Sequence, residues 1–513
     1  MNTIRTIAAG LWVWAVLGWV GPIAAEPWKH ADASAVSLPT LPREFRGAWV
    51  ATVANIDWPT KRELPVADQR AEMLAMVESL RETGFNAVVL QVRPACDAIY
   101  PSTLEPWSEF VTGESGKAPV PAWDPLAEWI MACHSRGMEL HAWVNPFRAR
   151  HFDSKLPDAP NHISRTQPQW VKSYDRYLWL DPGEPGARDH AMAVFKDLLT
   201  RYDVDGLHID DYFYPYPKGD EPFPDSASFD SYRASGGTLA RDDWRRDNIN
   251  RFVKLMYETA HQAKPGIKVG ISPFGIWRPG NPADIKGFDA YAKLYADAKL
   301  WLNEGWMDYC SPQLYWKRDA KEQAFVSLLG WWRGQNVRDR ALWPGLYSSR
   351  LLPSESPQKT GWTSDEIVGQ LRDISNGLPT TPPGAIHFSA KAILGNAGGL
   401  RDALRAGPYA SQAVMPAMSW LDAVPPPVPE LVADESAAGG GVELTWSVKE
   451  GSETVARWVV AARSGGAWSW RCAGADERAA DIGVGADAVA VWAQDRAGNL
   501  SAPAVRQSSP VKP

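Results

Sequence analysis

The feature that most constrains this chain is a two-beat pattern repeated eight times from Phe45 onward. Each beat is a short apolar run rich in β-branched residues, followed by a longer stretch with one apolar face. The predicted strands are Phe45–Val53, Ala87–Arg93, Glu139–Asn145, Gly206–Asp210, Lys268–Pro273, Asp308–Tyr315, Leu342–Tyr347 and Ala385–Ser389. Helix-like segments lie between them at Ala67–Glu82, Pro125–Arg136, Asp189–Tyr202, Arg245–Ala263, Asp297–Asn303, Lys321–Arg333 and Ser364–Ser375. In the last of these, Ser364 reads as a helix start, with Ile367 and Leu371 as the apolar stripe behind it. Eight strands alternating with helices in one run favour a closed (β/α)8 (TIM) barrel over an open doubly wound sheet. An open sheet would usually carry a glycine-rich phosphate turn after its first strand, and Ala51–Pro59 (ATVANIDWP) contains no glycine.

The flanks of this repeat read differently. Met1–Ala25 has a single Arg5, an apolar run from Ile7 to Val20, a Gly21-Pro22 break and the small pair Ala24-Ala25. That is the layout of a secretory signal peptide, and the run is short for a membrane span. The expectation is export to a periplasm or cell surface, with no stable membrane insertion after cleavage. Residues 26–44 form an N-terminal segment, 45–406 the barrel, and 407–429 a linker ending in the stiff run Val424–Pro429 (VPPPVP). In residues 430–513 helical periodicity is gone. Short alternating runs at Val442–Val448, Arg457–Ala462, Ala467–Cys472 and Ala488–Gln494, separated by Gly- and Asp-rich turns, predict a small all-β sandwich.

Composition excludes several classes. A net charge of −7 gives no general attraction for nucleic acid or anionic lipid. Four cysteines without CxxC spacing are neither a disulfide framework nor a thiolate metal site. HExxH, clustered His/Cys ligands, a P-loop and the GxSxG nucleophile elbow are all missing, so no metal or organic cofactor is expected. The chain does carry 27 tryptophans, whose rings either fill cores or stack on sugars.

Strand parity narrows the choice. On the fourth strand His208 and Asp210 share one face, while Leu207, Ile209 and Asp211 share the other. The apolar set suits the helix layer, which turns His208 and Asp210 into the barrel with Asp210 at the rim. Gln91 and Arg93 point together on the second strand, as do His141, Trp143 and Asn145 on the third and Tyr309, Ser311, Gln313 and Tyr315 on the sixth. Sites of such barrels lie at the C-terminal strand ends. There the run Tyr212–Tyr216 puts four aromatic residues beside Asp210, and Trp107, Trp277 and Trp316 follow strands two, five and six. An aromatic wall beside a carboxylate suits a sugar cleft. Glycoside cleavage needs two carboxylates; Asp210 or Asp211 can supply one, and Asp57, Asp97, Glu105 or Glu114 the other. The plain alternative for Asp210 is a satisfied buried ion pair.

These residues fall in blocks that resemble one family. EFRGAWVATVANIDWP (Glu44–Pro59), NAVVLQVRPACDAIYPS (Asn86–Ser102), ELHAWVNPFRA (Glu139–Ala149), VDGLHIDDYFYP (Val204–Pro215), VGISPFGIWRPG (Val269–Gly280) and DYCSPQLYW (Asp308–Trp316) resemble the glycosyl hydrolase-like 10 domain, also known as domain of unknown function 187. The C-terminal unit, ending in VWAQDRAGNLSAPA (Val491–Ala504), resembles a fibronectin type III domain. The resemblance implies an exported bacterial hydrolase of glycan strands, with peptidoglycan the leading substrate and a polysaccharide as partner. It points to Asp210, Asp211, Tyr212, Asp97 and Asn145, and to Cys96 as a departure where glycine is common. The expected roles follow. Asp210 is a catalytic carboxylate, with Asp211 second and Asp97 as cross-cleft partner. Arg93, Asn145, His208, Gln313 and Tyr315 hold hydroxyls, and Tyr212, Tyr214 and Trp316 stack on sugar rings. The rival readings are a non-catalytic wall-glycan-binding protein and a hydrolase of another extracellular polysaccharide.

Overall fold

A computed structural model describes residues 28–376, 383–435, 441–449 and 454–508. The signal-like segment 1–25 lies outside the described residues. The chain divides into two compact units, Pro42–Ala423 and one made of the described residues before and after it.

The larger unit is a parallel barrel. Its strands are Phe45–Val50 (β1), Ala87–Arg93 (β2), Glu139–Val144 (β3), Gly206–Ile209 (β4), Lys268–Ile271 (β5), Tyr309–Cys310 (β6), a two-piece β7 at Ala341–Leu342 and Gly345–Leu346, and Gly384–His387 (β8). Neighbours pair in sequence order from β1 to β7, and β8 pairs with both β7 and β1. The first piece of β7 pairs with β6 and the second with β8, so this strand closes the ring. β6 and β7 are shorter than their apolar runs suggest. Pro312 and Pro344 interrupt them because proline has no N–H for the ladder, and Pro312 O still accepts from Gly345 N at 2.9 Å and Pro344 O from Ile386 N at 3.1 Å.

Strand alternation builds two cores. Ala48, Val50, Val88, Leu90, Leu140, Ala142, Leu207, Ile209, Val269 and Ile271 face the surrounding helices. Phe45, Trp49, Val89, Trp143, Tyr309 and Trp343 fill the barrel interior, where Phe45 and Trp343 stack at 3.9 Å. The helix Val66–Thr83 shows how the outer core is sealed. Met73, Met76, Val77 and Leu80 recur at helical spacing and are buried, and the helix stops at Gly84 with φ +99°. Truncating Leu80 to alanine would cost about 2–5 kcal/mol through the cavity left. The helix Ser364–Ser375 has the expected bounds, and its cap is Thr363, which accepts from Glu366 N at 3.4 Å.

The smaller unit is all β. Glu430–Glu435 (β9), Val442–Ser447 (β10) and Ala479–Ile482 (β13) form one sheet. Arg457–Ser464 (β11), Ala467–Gly474 (β12), Ala486–Gln494 (β14) and Ala504–Gln507 (β15) form the other, with the short strand Lys29–His30 on its edge beside β15. Leu431, Leu444 and Trp446 from the first sheet share a core with Trp458, Val460, Val489 and Val491 from the second. Among the described residues no helix is long and apolar enough to cross a membrane.

Candidate active site

All eight strands deliver a residue to one cavity of about 320 Å³ at the C-terminal mouth of the barrel. Trp49 and Ala51 come from β1 and its end, Gln91 from β2, Trp143 from β3, Asp210 from the end of β4, Ser272 from the end of β5, and Gln313, Tyr347 and Phe388 follow β6, β7 and β8.

Asp210 is held by a relay of amides that begins in the β1 loop. Thr52 N and Val53 N donate to Gln91 Oε1 at 3.0 and 2.9 Å, and Gln91 Nε2 donates to Asn145 Oδ1 at 2.7 Å. Arg148 Nη2 also donates to that Oδ1, at 2.9 Å. With its oxygen so occupied, Asn145 turns its Nδ2 to both Asp210 oxygens, at 2.8 and 2.7 Å. Trp143 Nε1 and Tyr212 N add bonds of 3.1 and 3.3 Å. Burial raises the Asp210 carboxyl above its ordinary range, while the Arg148 charge and these hydrogen bonds oppose the rise.

Asp211 has a different setting. β4 ends at Ile209, so strand parity no longer governs Asp211, and its carboxyl joins Asp210 in the cavity wall. The Tyr216 hydroxyl donates to it and the Gln313 side chain contributes a second hydrogen bond. Burial, then the neighbouring Asp210 charge, push it up to about 7. Aromatic faces surround the pair. Tyr212 lies under the Arg148 guanidinium at 5.0 Å, and Tyr315 packs on Tyr347 at 4.9 Å.

Of the residues singled out in the sequence, Asp210, Asp211, Tyr212, Gln313 and Tyr315 line the cavity. Asn145 stands behind Asp210, and His208 lies fully buried beneath the wall against Trp49 and Ser272. The other four lie outside the wall. Arg93 is wholly buried and bonds Glu105 at 2.7 and 2.5 Å and Asn145 O at 2.5 Å, so it braces the β2 and β3 ends and does not meet a ligand. Asp97 accepts from Ala95 N at 2.7 Å and from Ser108, and stands in that loop and not across the cleft. Tyr214 is 1% exposed and packed on Phe223 and Tyr295, which leaves no ring face for a sugar. Trp316 meets Phe274 edge-on at 5.6 Å. Asp57 clamps Ala51 N, Ser389 Oγ and Lys391 N at 2.8, 2.6 and 2.9 Å, and Glu114 is exposed away from the wall. Sequence reasoning missed Arg148, His151, Ser272, Tyr347 and Phe388, all beyond the ends of the barrel strands, where barrel alternation carries no signal; Arg148 opens the short strand Arg148–Arg150 outside the barrel. Among the described residues no group of three or more His, Cys, Asp or Glu side chains could hold a metal ion.

The family model described as glycosyl hydrolase-like 10 matches residues 44–363. The chain belongs to this family. A curated relative, the glycosyl hydrolase YngK of Bacillus subtilis (strain 168), is 38% identical over 399 residues, 76% of each chain. The glycosyl hydrolase DigH of Escherichia coli (strain K12) is 35% identical over 310 residues, 56% of this chain and 69% of that one. Among solved structures, the glycoside hydrolase domain of PgaB (BpsB) from Bordetella bronchiseptica aligns with 12% identity and a TM-score of 0.46, over 71% of this chain and 99% of that one. This member of the glycosyl hydrolase-like 10 family carries Cys96 at φ +50°, the left-handed region that favours glycine. Its thiol is buried and Arg93 Nη2 donates to it at 3.2 Å, which ties the loop to the end of β2.

Proposed function

We propose that the protein is an exported glycoside hydrolase that cleaves glycan strands of cell-wall peptidoglycan with Asp210 and Asp211. The observation that carries this reading is a pair of adjacent buried carboxyls in an aromatic-walled cavity, one of them pushed up to about 7. Asp211, which keeps its proton near neutral pH, donates it to the glycosidic oxygen as the bond to the anomeric carbon breaks. Asp210 is the member of the pair held toward its charged form, because Asn145, Trp143 and Tyr212 N donate to it and the Arg148 charge opposes the rise that burial brings. Its carboxylate faces the positive charge that develops on the sugar, and it then attacks that carbon or activates water. Tyr212, Tyr315 and Tyr347 supply ring faces for the pyranose. Asp97 has no part in this scheme. The two relatives named glycosyl hydrolases support hydrolysis; the choice of peptidoglycan and the route of export rest on the sequence resemblance and the first 25 residues. The smaller unit serves as a fibronectin III-like spacer or wall-binding module.

The test is release of new reducing ends from purified peptidoglycan, with and without stem peptides, and from a panel of other polysaccharides. Wild type is expected to release them and Asp210→Asn to fail. Equal release by both proteins overturns the assignment, and strand binding without product favours a wall-glycan-binding protein.

A further inference from the structure

Beneath the cavity, the barrel axis carries a line of polar side chains that the acid–base pair does not use. Glu139 accepts from Lys268 Nζ at 2.7 Å and lies 3.0 Å from His141 Nε2. His141 Nδ1 is 2.8 Å from the Tyr309 hydroxyl, which is 3.0 Å from His208 Nδ1. His208 Nε2 in turn lies 3.2 Å from Trp49 Nε1 and 2.9 Å from Ser272 Oγ. Every one of these residues is at most 2% exposed, and Trp49 and Ser272 belong to the cavity wall.

Trp49 decides the direction of each bond. An indole N–H can only donate, so His208 Nε2 is an acceptor. Burial keeps the His208 ring neutral, and its one hydrogen therefore sits on Nδ1. That hydrogen goes to the Tyr309 oxygen, which leaves the hydroxyl hydrogen of Tyr309 for His141 Nδ1. His141 then carries its own hydrogen on Nε2 and donates it to Glu139, whose charge Lys268 balances. His208 Nε2 is bare and shares its one lone pair with the Trp49 N–H, so Ser272 donates to it at 2.9 Å or to the Ile209 carbonyl at 3.5 Å, and its one hydrogen is used in either case. Ser272 Oγ is left with lone pairs and no hydrogen to offer.

We propose that Ser272 is a specificity-determining residue, whose oxygen accepts a hydrogen bond from a free hydroxyl of the bound sugar. His208 and Tyr309 are positioning residues that hold it in this state. The proposal rests on the glycan reading of the cavity and sharpens it: a sugar whose oxygen at that place is an ether or ester has no hydrogen to give and loses the contact.

The test has two parts, both on the full chain. Long-range proton–nitrogen spectra of protein labelled with 15N-histidine should show His208 protonated on Nδ1 and His141 on Nε2, the two rings being assigned by their shifts in Tyr309→Phe. If that variant does not fold, Trp49→Phe serves instead, since it removes the donor that sets the direction. The second part is calorimetric binding of purified peptide-free glycan strands to Asp211→Asn protein, which holds them uncut. Adding Ser272→Ala should weaken binding by about 3- to 10-fold, the worth of one hydrogen bond, and Ser272→Thr should restore most of it. A His208 ring protonated on Nε2, or Ser272→Ala binding as tightly as its parent, overturns the proposal. Strands that bind with no reducing ends from wild type contradict hydrolysis alone, and the two readouts still decide the role of Ser272. A wild type that binds no strand contradicts the glycan reading and the proposal with it.

Discussion

Two buried carboxylate sites near the mouth of this barrel have opposite electrostatics. Burial would raise Glu105, yet the Arg93 charge and hydrogen bonds from His190 and Arg93 outweigh it and hold the carboxyl at about 2. Burial also raises Asp211, but there the next contribution, the Asp210 charge, pushes the same way and the carboxyl reaches about 7. Glu105 and Asp211 are 3% and 4% exposed, so depth does not separate them. What separates them is the sign of the nearest charge. A guanidinium keeps the first ionised as a brace, and a second carboxylate leaves the second holding its proton up to about pH 7.

The largest effect that could break this contrast is on turnover. Asp211→Asn should lower kcat/KM on glycan strands by about 10²–10⁴-fold, the usual share of a general acid, with the melting temperature kept or raised. Glu105→Gln should do the reverse. It leaves Arg93 buried without its counter-charge and lowers unfolding stability by about 3–5 kcal/mol, read from denaturant midpoints. Comparable turnover loss with no stability loss in Glu105→Gln would erase the distinction.

Stability against pH should separate the two sites more finely. The folded value for Asp211 is raised from 3.8 to about 7, so its contribution is complete below 3.8 and is lost as pH rises through 7. For Glu105 the folded value is lowered from 4.5 to about 2, so its contribution is present above 4.5 and is lost as pH falls toward 2. Urea midpoints should therefore show Asp211→Asn gaining on wild type between about pH 4 and pH 7, and Glu105→Gln closing its deficit only in acid. The smallest effect expected is from Arg148→Gln. Removing that positive charge lets the Asp210 carboxyl rise further, so the acid limb of the pH–rate profile should move to higher pH.

The fold was legible because alternation is a local signal. Leu207 and Ile209 had to face helices, which placed His208 inward without any knowledge of its partners. The same rule stopped working where strands stopped. Asp211 has the wrong parity for the barrel interior and reaches the cavity only because β4 ends at Ile209. Arg148 sits three residues past Asn145 in the block Glu139–Ala149, but the bend after β3, not the direction of that strand, brings it back to that side chain. Tyr214 shares the aromatic run with Tyr212 and Tyr216, and only packing against Phe223 and Tyr295 shows that its face is covered. Residue type alone could not tell Glu105 from Asp211, because the deciding quantity is which charge comes closest in space; Asp97 is raised by burial as Asp211 is, and only its place outside the cavity wall sets it apart.

The most direct measurement of that quantity is a carbon NMR titration of the aspartate carboxyls in full-length protein, with Asp210→Asn and Asp211→Asn used for assignment. The cavity pair should titrate in two steps, the upper one at about 7 and removed by Asp211→Asn. Complete ionisation of both cavity carboxyls below about pH 5 would contradict the assignment of Asp211 as the proton donor.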